Sequence, residues 1–418
     1  MNTGKRWIYL ITGTVTLLFF GLIYAWSLFR TPFSELFPEW TISQLSMTFT
    51  ISMISFCLGG FAGGLMSKRL GVRTRFFIAA AMIFTGFFAV SMVKKGNPGA
   101  SLAMLYIFYG VFGGGGVGVA YNTVIGTVNK WFPDKVGLAS GVMLMGYGLG
   151  SLVLGSVVNV LIGTIGVLTV FRVLAVAITV ITIIAAMIIK VPGSEDSLAL
   201  TELAAGVNGK SSKNNESQER AAQHNYTVGE MLRTGRFWCY EMWNILLSAA
   251  GLLVINSAAN ISVAYGGTAV LGMIISLFNG AGRIVAGTDF DKFGRKTSTI
   301  INTAFMLAAG ISLTLGAVTF KYVFILLGLI FAGLSQGGCP TITSAYINQA
   351  FGPANYPTNF SVANFALIPA ATLGPMISSA LLDASGGSYD TSFYAIIGFA
   401  AAAFIFWVLL NITSRKED

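Results

Sequence analysis

The sequence predicts an all-α integral membrane protein with twelve transmembrane helices arranged in two halves of six. Three observations support this fold class. Of the 418 residues, 55% are hydrophobic and only 10% are charged, whereas soluble domains contain roughly 25% charged residues. The apolar residues form twelve runs, each long enough to cross about 30 Å of hydrocarbon. One polar segment, residues 190–236, divides these runs into two sets. A soluble enzyme is therefore excluded.

The first half contains six apolar runs without the strict alternation of membrane strands, so helices rather than a β-barrel are expected to span. We predict residues 1–189 as an N-terminal six-helix bundle. Its runs are Trp7–Phe29, Ser43–Met66, Phe76–Val93, Leu102–Thr127, Gly137–Leu161 and Val167–Ile189.

The second half repeats this organisation over residues 237–418, which we predict as a C-terminal six-helix bundle. Residues 190–236 are rich in Ser, Asn, Glu, Gln and Lys, and we predict a mobile linker there because such a segment buries little apolar surface. The runs of the second half are Phe237–Ala264, Thr268–Gly287, Thr297–Val318, Tyr322–Asn348, Asn359–Leu382 and Ser392–Ile412.

The positive charges predict the orientation of the chain. Nineteen of the 25 Lys and Arg residues fall on the side shared by the termini and the linker, and five fall on the opposite side. By the positive-inside rule we expect both termini and the linker to lie in the cytoplasm. The chain is thus predicted to be a multi-pass protein of the cell (plasma) membrane. Because this topology accounts for most of the net charge of +9, we do not expect nucleic acid as a partner. One positive charge remains, Arg283, deep in the eighth run.

Metal and catalytic chemistry have few candidate residues. The 3 cysteines have no paired spacing, and the single histidine, His224, lies in the linker. We therefore expect no metal site, no cofactor and no membrane-embedded enzyme. The linker and residues 414–418 contain no soluble signalling domain, which disfavours a sensor.

Two loops at equivalent positions of the halves resemble each other, at residues 64–73 and 287–296. In each loop a glycine, Gly64 or Gly287, is followed four residues later by a pair of charged residues. A second glycine and a basic residue come after that pair. This spacing predicts tight cytoplasmic turns whose glycines let helices approach and whose bases reach helix C-termini and carboxylates. The charged residues at these positions are Lys68, Arg69, Asp291, Lys292 and Arg295.

This pattern resembles the major facilitator superfamily signature, Gly-x-x-x-Asp-Arg-x-Gly-Arg-Arg. The second loop matches with Asp291 at the acidic position, and the first departs from it with Lys68 there. The resemblance implies the major facilitator fold, with two pseudo-symmetric six-helix bundles and a midplane site exposed alternately to each side. It also implies that Lys68, Arg69, Asp291, Lys292 and Arg295 are candidate gating residues.

A finer similarity points to the oxalate/formate antiporter family, which is related to the monocarboxylate transporters. It implies a small carboxylate as substrate and a monomer in the lipid bilayer. The similar stretches are Tyr24–Phe29, Gly113–Gly118 with Tyr121 and Asn122, Trp131–Lys135 and Asn279–Arg283. We expect the glycines of the second stretch to serve helix packing.

Arg283 is the first candidate for substrate binding. An arginine in the bilayer core costs at least a few kcal/mol, so it needs a partner or a function. Its planar fork can hold a carboxylate through two parallel hydrogen bonds. Acids are absent from the centres of the runs: Glu241 lies near the cytoplasmic end of the seventh, and Asp383 and Asp390 flank outer ends. We therefore expect the ligand to supply the counter-ion.

The resemblance adds a test of substrate charge. Oxalate transporters of this family have a second cation, a lysine in the eleventh helix, in a stretch that begins Asn-Tyr-Gly. The corresponding stretch here is Asn355–Asn364, and its ungapped register puts Ala363 at the lysine position. A single cation implies a substrate with a single carboxylate, and the neighbouring Asn364 is available as a neutral donor.

Further polar and aromatic residues are candidates for the walls of the site, and packing in the core or against lipid is the alternative reading for each. In the N-terminal half they supply apolar faces with hydroxyl or amide groups. The candidates are Tyr24, Tyr121, Asn122 and Tyr147 in that half, and Asn260, Asn279 and Gln336 in the other.

The sequence thus predicts a secondary active transporter that moves a small monocarboxylate, such as formate, lactate or pyruvate, by alternating access around Arg283. The coupled species is a counter-anion or a proton, and the lack of a central carboxylate favours exchange or uniport over proton symport. Two alternatives remain, an oxalate/formate-type anion exchanger and an efflux carrier for lipophilic compounds, which an aromatic content of 13% also suits.

Overall fold

A computed structural model describes residues 4–200 and 224–417, and this part of the chain is helical without any strand. It contains 11 helices that are long and apolar enough to cross a membrane. The predicted twelve runs become 11 spans because the eighth and ninth are continuous, as Val270–Thr319. The middle of the predicted linker, residues 201–223, lies outside the described residues.

The first eight helices include two irregular segments that the sequence analysis missed. The predicted first run, Trp7–Phe29, is broken by a 3₁₀ segment at Gly21–Ala25. The fourth run has a π-helical segment at Leu105–Gly113, directly before its glycines. The helices are α1 Gly4–Phe20, α2 Trp26–Leu36, α3 Ile42–Met66, α4 Val72–Val90, α5 Pro98–Met104, α6 Gly114–Val128, α7 Val136–Ile165 and α8 Val167–Ile188.

The remaining helices include one long kinked element. Gly294 lies within α12 at φ 72° and ψ 179°, a conformation that glycine tolerates and that turns the chain between the predicted eighth and ninth runs. The helices are α9 Val228–Leu232, α10 Gly235–Ala264, α11 Ala269–Gly272, α12 Ile274–Thr319, α13 Tyr322–Phe351, α14 Tyr356–Ala363, α15 Leu367–Ala384 and α16 Asp390–Glu417.

The chain forms two compact units. The first comprises Met1–Pro133 and Gly146–Leu203, and the second comprises Asp134–Met145 and Ala204–Asp418. The start of α7 therefore groups with the second unit, although sequence reasoning assigns it to the first bundle. The predicted domain limits at residues 189 and 237 stay predictions.

Packing in the first unit depends on small residues in α6. A Cβ atom added to Gly114 would overlap the carbonyl of Ser52 in α3, and one added to Gly118 would overlap the carbonyl of Phe56. The two helices approach so closely only because these side chains are missing. The packing role predicted for the glycine stretch is confirmed at these positions.

The end of the predicted linker is ordered on the second unit, and the prediction of a mobile segment up to residue 236 is wrong there. The Tyr226 N–H donates to the Phe351 carbonyl at 3.0 Å, and the Ala354 N–H donates to Asn225 Oδ1 at 3.0 Å. The Arg236 guanidinium stacks on the rings of Tyr226 and Phe351, at 4.9 and 5.0 Å from their centroids. Aromatic contacts and hydrogen bonds thus fix a segment whose polar composition suggested mobility.

Thr227 and Glu230 form a capping box that starts α9 within this segment. The Thr227 N–H donates to the Glu230 carboxylate at 2.7 Å, and this hydrogen bond is the main reason why the pKa of Glu230 lies below its usual value.

Candidate functional site

Arg283 lies in α12 of the second unit and is only 9% exposed. Its Nε donates to Asn279 Oδ1, one turn earlier, at 3.3 Å. Its Nη1 donates to the backbone carbonyl of Leu144 in α7 at 2.6 Å. The guanidinium is therefore oriented by one predicted residue, Asn279, and by one main-chain group that sequence reasoning had no means of finding.

Glycines fix the position of Arg283 by allowing neighbouring helices to come close. A Cβ on Gly141 in α7 would overlap the Arg283 carbonyl, and one on Gly337 in α13 would overlap the Asn279 carbonyl. This turn of α12 is thus in close contact with the backbones of α7 and α13. Packed helices rather than a loop therefore hold the arginine in place.

The other candidates of the second unit have different environments. Gln336 in α13 is 8% exposed, and its side chain lies against Gly251 in α10. Asn364 is half-buried at the junction of α14 and α15, and Asn260 is exposed on α10. The structure joins Asn279 to Arg283 directly, whereas it places Gln336 in the core and Asn260 at the surface of the unit.

The candidates of the first unit form an aromatic cluster. The rings of Tyr121 and Tyr147 lie 5.1 Å apart, and Phe56 lies 5.1 Å from Tyr121 and 5.9 Å from Tyr147. Tyr121, Tyr147 and Asn122 are all at most 5% exposed, which also fits the alternative reading of core packing. Phe56 was missed because a phenylalanine in an apolar run carries no distinguishing signal. The Tyr24 side chain lies outside the described residues.

Asp291 of the second signature loop binds the N-terminus of α7. Its two carboxylate oxygens each accept a hydrogen bond of 2.7 Å, from the N–H groups of Gly137 and Leu138. Gly137 and Gly287 are in backbone contact at the same place. A carboxylate at this position satisfies free N–H groups and complements the positive end of the helix dipole.

The predicted basic gating residues behave differently from one another. Arg295 donates to Asn411 Oδ1 at 3.2 Å and to the Leu410 carbonyl at 3.5 Å, so it ties the loop to α16. Lys68, Arg69 and Lys292 have exposed side chains. The sequence could not separate these roles, because the acceptors for Arg295 lie more than 100 residues further along the chain.

Sequence reasoning treated Glu241 as an acid near a helix end. The structure buries it in α10, with 5% exposure, and its Oε1 has no hydrogen-bond partner among the described residues. Within the same residues no group of His, Cys, Asp and Glu side chains is arranged to hold a metal ion.

Comparisons with known proteins agree with this fold. The family model of the Major Facilitator Superfamily matches residues 8–367. The oxalate:formate antiporter of Oxalobacter formigenes is 27% identical over 96% of this chain and 92% of its own length. Monocarboxylate transporter 12 of Mus musculus is 31% identical, over 24% of this chain and 19% of its own.

The solved structure of the proton:xylose symporter XylE has the same fold. It aligns with a TM-score of 0.75 over 98% of this chain and 97% of that protein, at 18% sequence identity. The predicted twelve-helix fold class is therefore confirmed. The chain belongs to the Major Facilitator Superfamily and is a multi-pass membrane transporter rather than an enzyme.

Proposed function

We propose that this transporter moves a small organic anion, a monocarboxylate such as formate, lactate or pyruvate, whose carboxylate binds Arg283. The observation that carries the proposal is the buried guanidinium in α12, held in one orientation by Asn279 and the Leu144 carbonyl. A guanidinium group that is held in one orientation, in a site with little water, binds planar anions preferentially.

The Leu144 carbonyl suggests how the substrate enters the site. It is a neutral acceptor, whereas a hydrogen bond from Arg283 to a carboxylate is charge-assisted and roughly twice as strong. A substrate carboxylate therefore replaces the carbonyl as the acceptor for Nη1, while Asn279 keeps Nε in place. Exchange of one acceptor for another avoids leaving a buried charge without a partner.

The charge of the substrate follows from the family resemblance. Ala363 occupies the position that a lysine holds in oxalate transporters of the family, and it is fully buried at the end of α14. We infer that one carboxylate is bound per substrate and that dianions compete poorly. The similarity to an oxalate:formate antiporter and to a segment of a monocarboxylate transporter supports small carboxylates as the substrate class.

We further propose that the protein resides in the plasma membrane with both termini in the cytoplasm, from the distribution of its bases. Asp291 then serves as a gating residue: its hydrogen bonds to the N–H groups of Gly137 and Leu138 form in one state of the transport cycle and break in another. Tyr121, Asn122, Tyr147, Gln336 and Asn364 remain candidates for lining the substrate path.

Uptake into proteoliposomes tests this function. Radiolabelled formate, lactate and pyruvate are offered to the wild type, Arg283→Ala and Arg283→Lys, with oxalate as a competitor. We expect uptake of one or more monocarboxylates by the wild type, its loss in Arg283→Ala, and weak competition by oxalate. Lys296→Ala, which removes an exposed base from the same helix, is the control and should retain uptake.

Carboxylate uptake that persists in folded Arg283→Ala would refute the site. Tight competition by oxalate would instead favour an oxalate/formate-type exchanger. Transport of lipophilic cations or neutral drugs without carboxylate uptake would favour the efflux alternative. Counterflow with loaded unlabelled substrate separates exchange from uniport.

A further inference from the structure

Another buried arginine, Arg75, lies in the first turn of α4 in the first unit and is 6% exposed. Its Nη1 donates to the Thr123 hydroxyl in α6 at 3.5 Å, the outer limit for a hydrogen bond. Its Nε is buried and has no partner among the described residues. A guanidinium carries five N–H donors, so this one is poorly satisfied by the protein.

The surroundings of Arg75 add positive charge. Lys130, in the 3₁₀ turn Asn129–Trp131 that follows α6, is close enough for its ammonium group to repel the guanidinium. The N-terminus of α4 contributes further positive potential at its first turn. In the part of the chain that the structure describes, neither cation has an ion pair with an acid. A buried cation in such a setting needs an anion from outside the protein.

The neighbouring helix supplies groups that suit an oxyanion. Thr123 and Thr127 lie one turn apart in α6, so they share a helix face, and the Thr123 hydroxyl on that face accepts from Arg75. Lys130 follows in the 3₁₀ turn Asn129–Trp131. The Thr123 hydroxyl donates to the Val119 carbonyl at 2.7 Å, which leaves its oxygen as the acceptor for Arg75. Thr127 adds a buried hydroxyl, and the Lys130 side chain is exposed.

The depth of the cluster matches that of lipid headgroups. Helix α4 has 19 residues, so its length is about 28 Å, close to the thickness of the hydrocarbon layer. Its first turn therefore lies at the polar boundary of the bilayer. Phosphate is the anion available at this level, and arginine with lysine is a common combination for binding it.

We infer that Arg75 and Lys130 form a binding site for a phosphate group, either that of an anionic phospholipid or free phosphate. The exposed Lys130 side chain makes the first contact and moves aside, which admits the phosphate to the N–H groups of Arg75. The site lies outside the residues proposed for substrate binding, and it stands whether or not the carboxylate assignment is correct.

The test compares wild type, Arg75→Gln and Arg73→Gln in nanodiscs. Arg73 is the matched control because it lies on the same helix, two residues earlier, with an exposed side chain. Thermal unfolding is measured in phosphatidylcholine alone and with phosphatidylglycerol added. We expect phosphatidylglycerol to raise the midpoint of the wild type and Arg73→Gln but not that of Arg75→Gln. In phosphatidylcholine alone, Arg75→Gln should be at least as stable as the wild type, because an uncompensated charge has been removed.

Native mass spectrometry gives a second readout, and Arg75→Gln should retain phosphatidylglycerol about tenfold less well, equivalent to about 1.4 kcal/mol. Inorganic phosphate titrated in neutral detergent separates the sources: an effect there assigns free phosphate, and an effect of the lipid alone assigns the headgroup. An equal lipid response in Arg75→Gln, or its marked destabilisation without anionic lipid, would overturn the proposal. If Arg75→Gln fails to fold, Lys130→Gln replaces it in the test and should retain phosphatidylglycerol less well than the wild type. Equal retention by Lys130→Gln and the wild type would refute the site.

Discussion

Two of the buried arginines of this transporter, Arg283 and Arg75, differ in what accepts their hydrogen bonds. Arg283 in α12 bonds to a side-chain amide at 3.3 Å and to a backbone carbonyl at 2.6 Å. Among the described residues, Arg75 in α4 reaches only a hydroxyl, at 3.5 Å, and lies beside a second cation. Both are at most 9% exposed, so burial alone does not distinguish them.

The difference shows that a buried charge has to be judged by its acceptors. Arg283 is oriented by good acceptors, one of which a carboxylate can replace, and this suits a ligand that binds and leaves. Arg75 has no such acceptors in the part of the chain that the structure describes, and this suits an anion that stays bound. The comparison therefore separates a proposed transport site from a proposed structural anion site, and the following predictions test that separation.

The largest effect is expected for Arg283→Ala. Carboxylate uptake should fall by roughly 100-fold, because a charge-assisted bidentate contact is lost in a site with little water. The stabilisation by phosphatidylglycerol should remain at the wild-type level. Initial uptake rates and unfolding midpoints measured on the same preparation check both parts. Loss of the lipid response in this variant would erase the distinction between the two arginines.

Asp291→Asn should lower the free energy of unfolding by about 2 kcal/mol, because two charge-assisted hydrogen bonds to the start of α7 are weakened. Chemical unfolding in detergent measures this change. Asp289→Asn, two residues earlier, is the control. The equivalent position in the first unit holds the exposed Lys68, and Lys68→Ala should change stability by less than about 0.5 kcal/mol. Equal effects at Asp291 and Lys68 would contradict the role given to the acid.

A smaller effect is expected for Asn279→Ala, which removes the acceptor of Arg283 Nε but keeps the Leu144 carbonyl. The KM for the carboxylate should rise about fivefold, because a less well oriented guanidinium loses roughly 1 kcal/mol of binding free energy. Asn256→Ala, an exposed amide in α10 that is not a candidate for the site, is the matched control and should leave KM unchanged. An unchanged KM in Asn279→Ala would show that the amide does not orient the arginine.

The smallest effect is expected for Arg75→Gln on transport. Uptake should stay within about twofold of the wild type when anionic lipid is saturating, a change of less than about 0.5 kcal/mol. The assay is the same as for Arg283. A loss of uptake as large as that of Arg283→Ala would place Arg75 in the transport pathway and break the comparison.

The sequence predicted the helical class, most helix limits and the eighth-helix arginine because these depend on local composition. Hydropathy locates spans, and a single internal positive charge is conspicuous in an apolar run. The kink at Gly294 and the 3₁₀ break at Gly21–Ala25 were missed because both occur inside runs whose composition does not change.

The environments of individual side chains were less predictable. Asn279 was among the candidates because it belongs to the stretch Asn279–Arg283 that resembles the oxalate/formate antiporter family, and the structure shows that its side chain accepts from Arg283. Leu144 was not, because a backbone carbonyl is available at every residue and only helix packing selects one. Arg75 was counted among the loop charges of the positive side, since its position in the sequence is at the start of a span, and only the structure shows that it is buried.

The sequence by itself determined that this chain spans a membrane, which superfamily it resembles and that one guanidinium lies within its helices, because hydropathy, loop motifs and charge positions are local properties. The tertiary structure decided which acceptors that guanidinium has, that Asp291 binds the start of α7, and that Arg75 and Glu241 are buried. These outcomes depend on the packing of helices distant in sequence, where a missing Cβ at a glycine sets which atoms can meet.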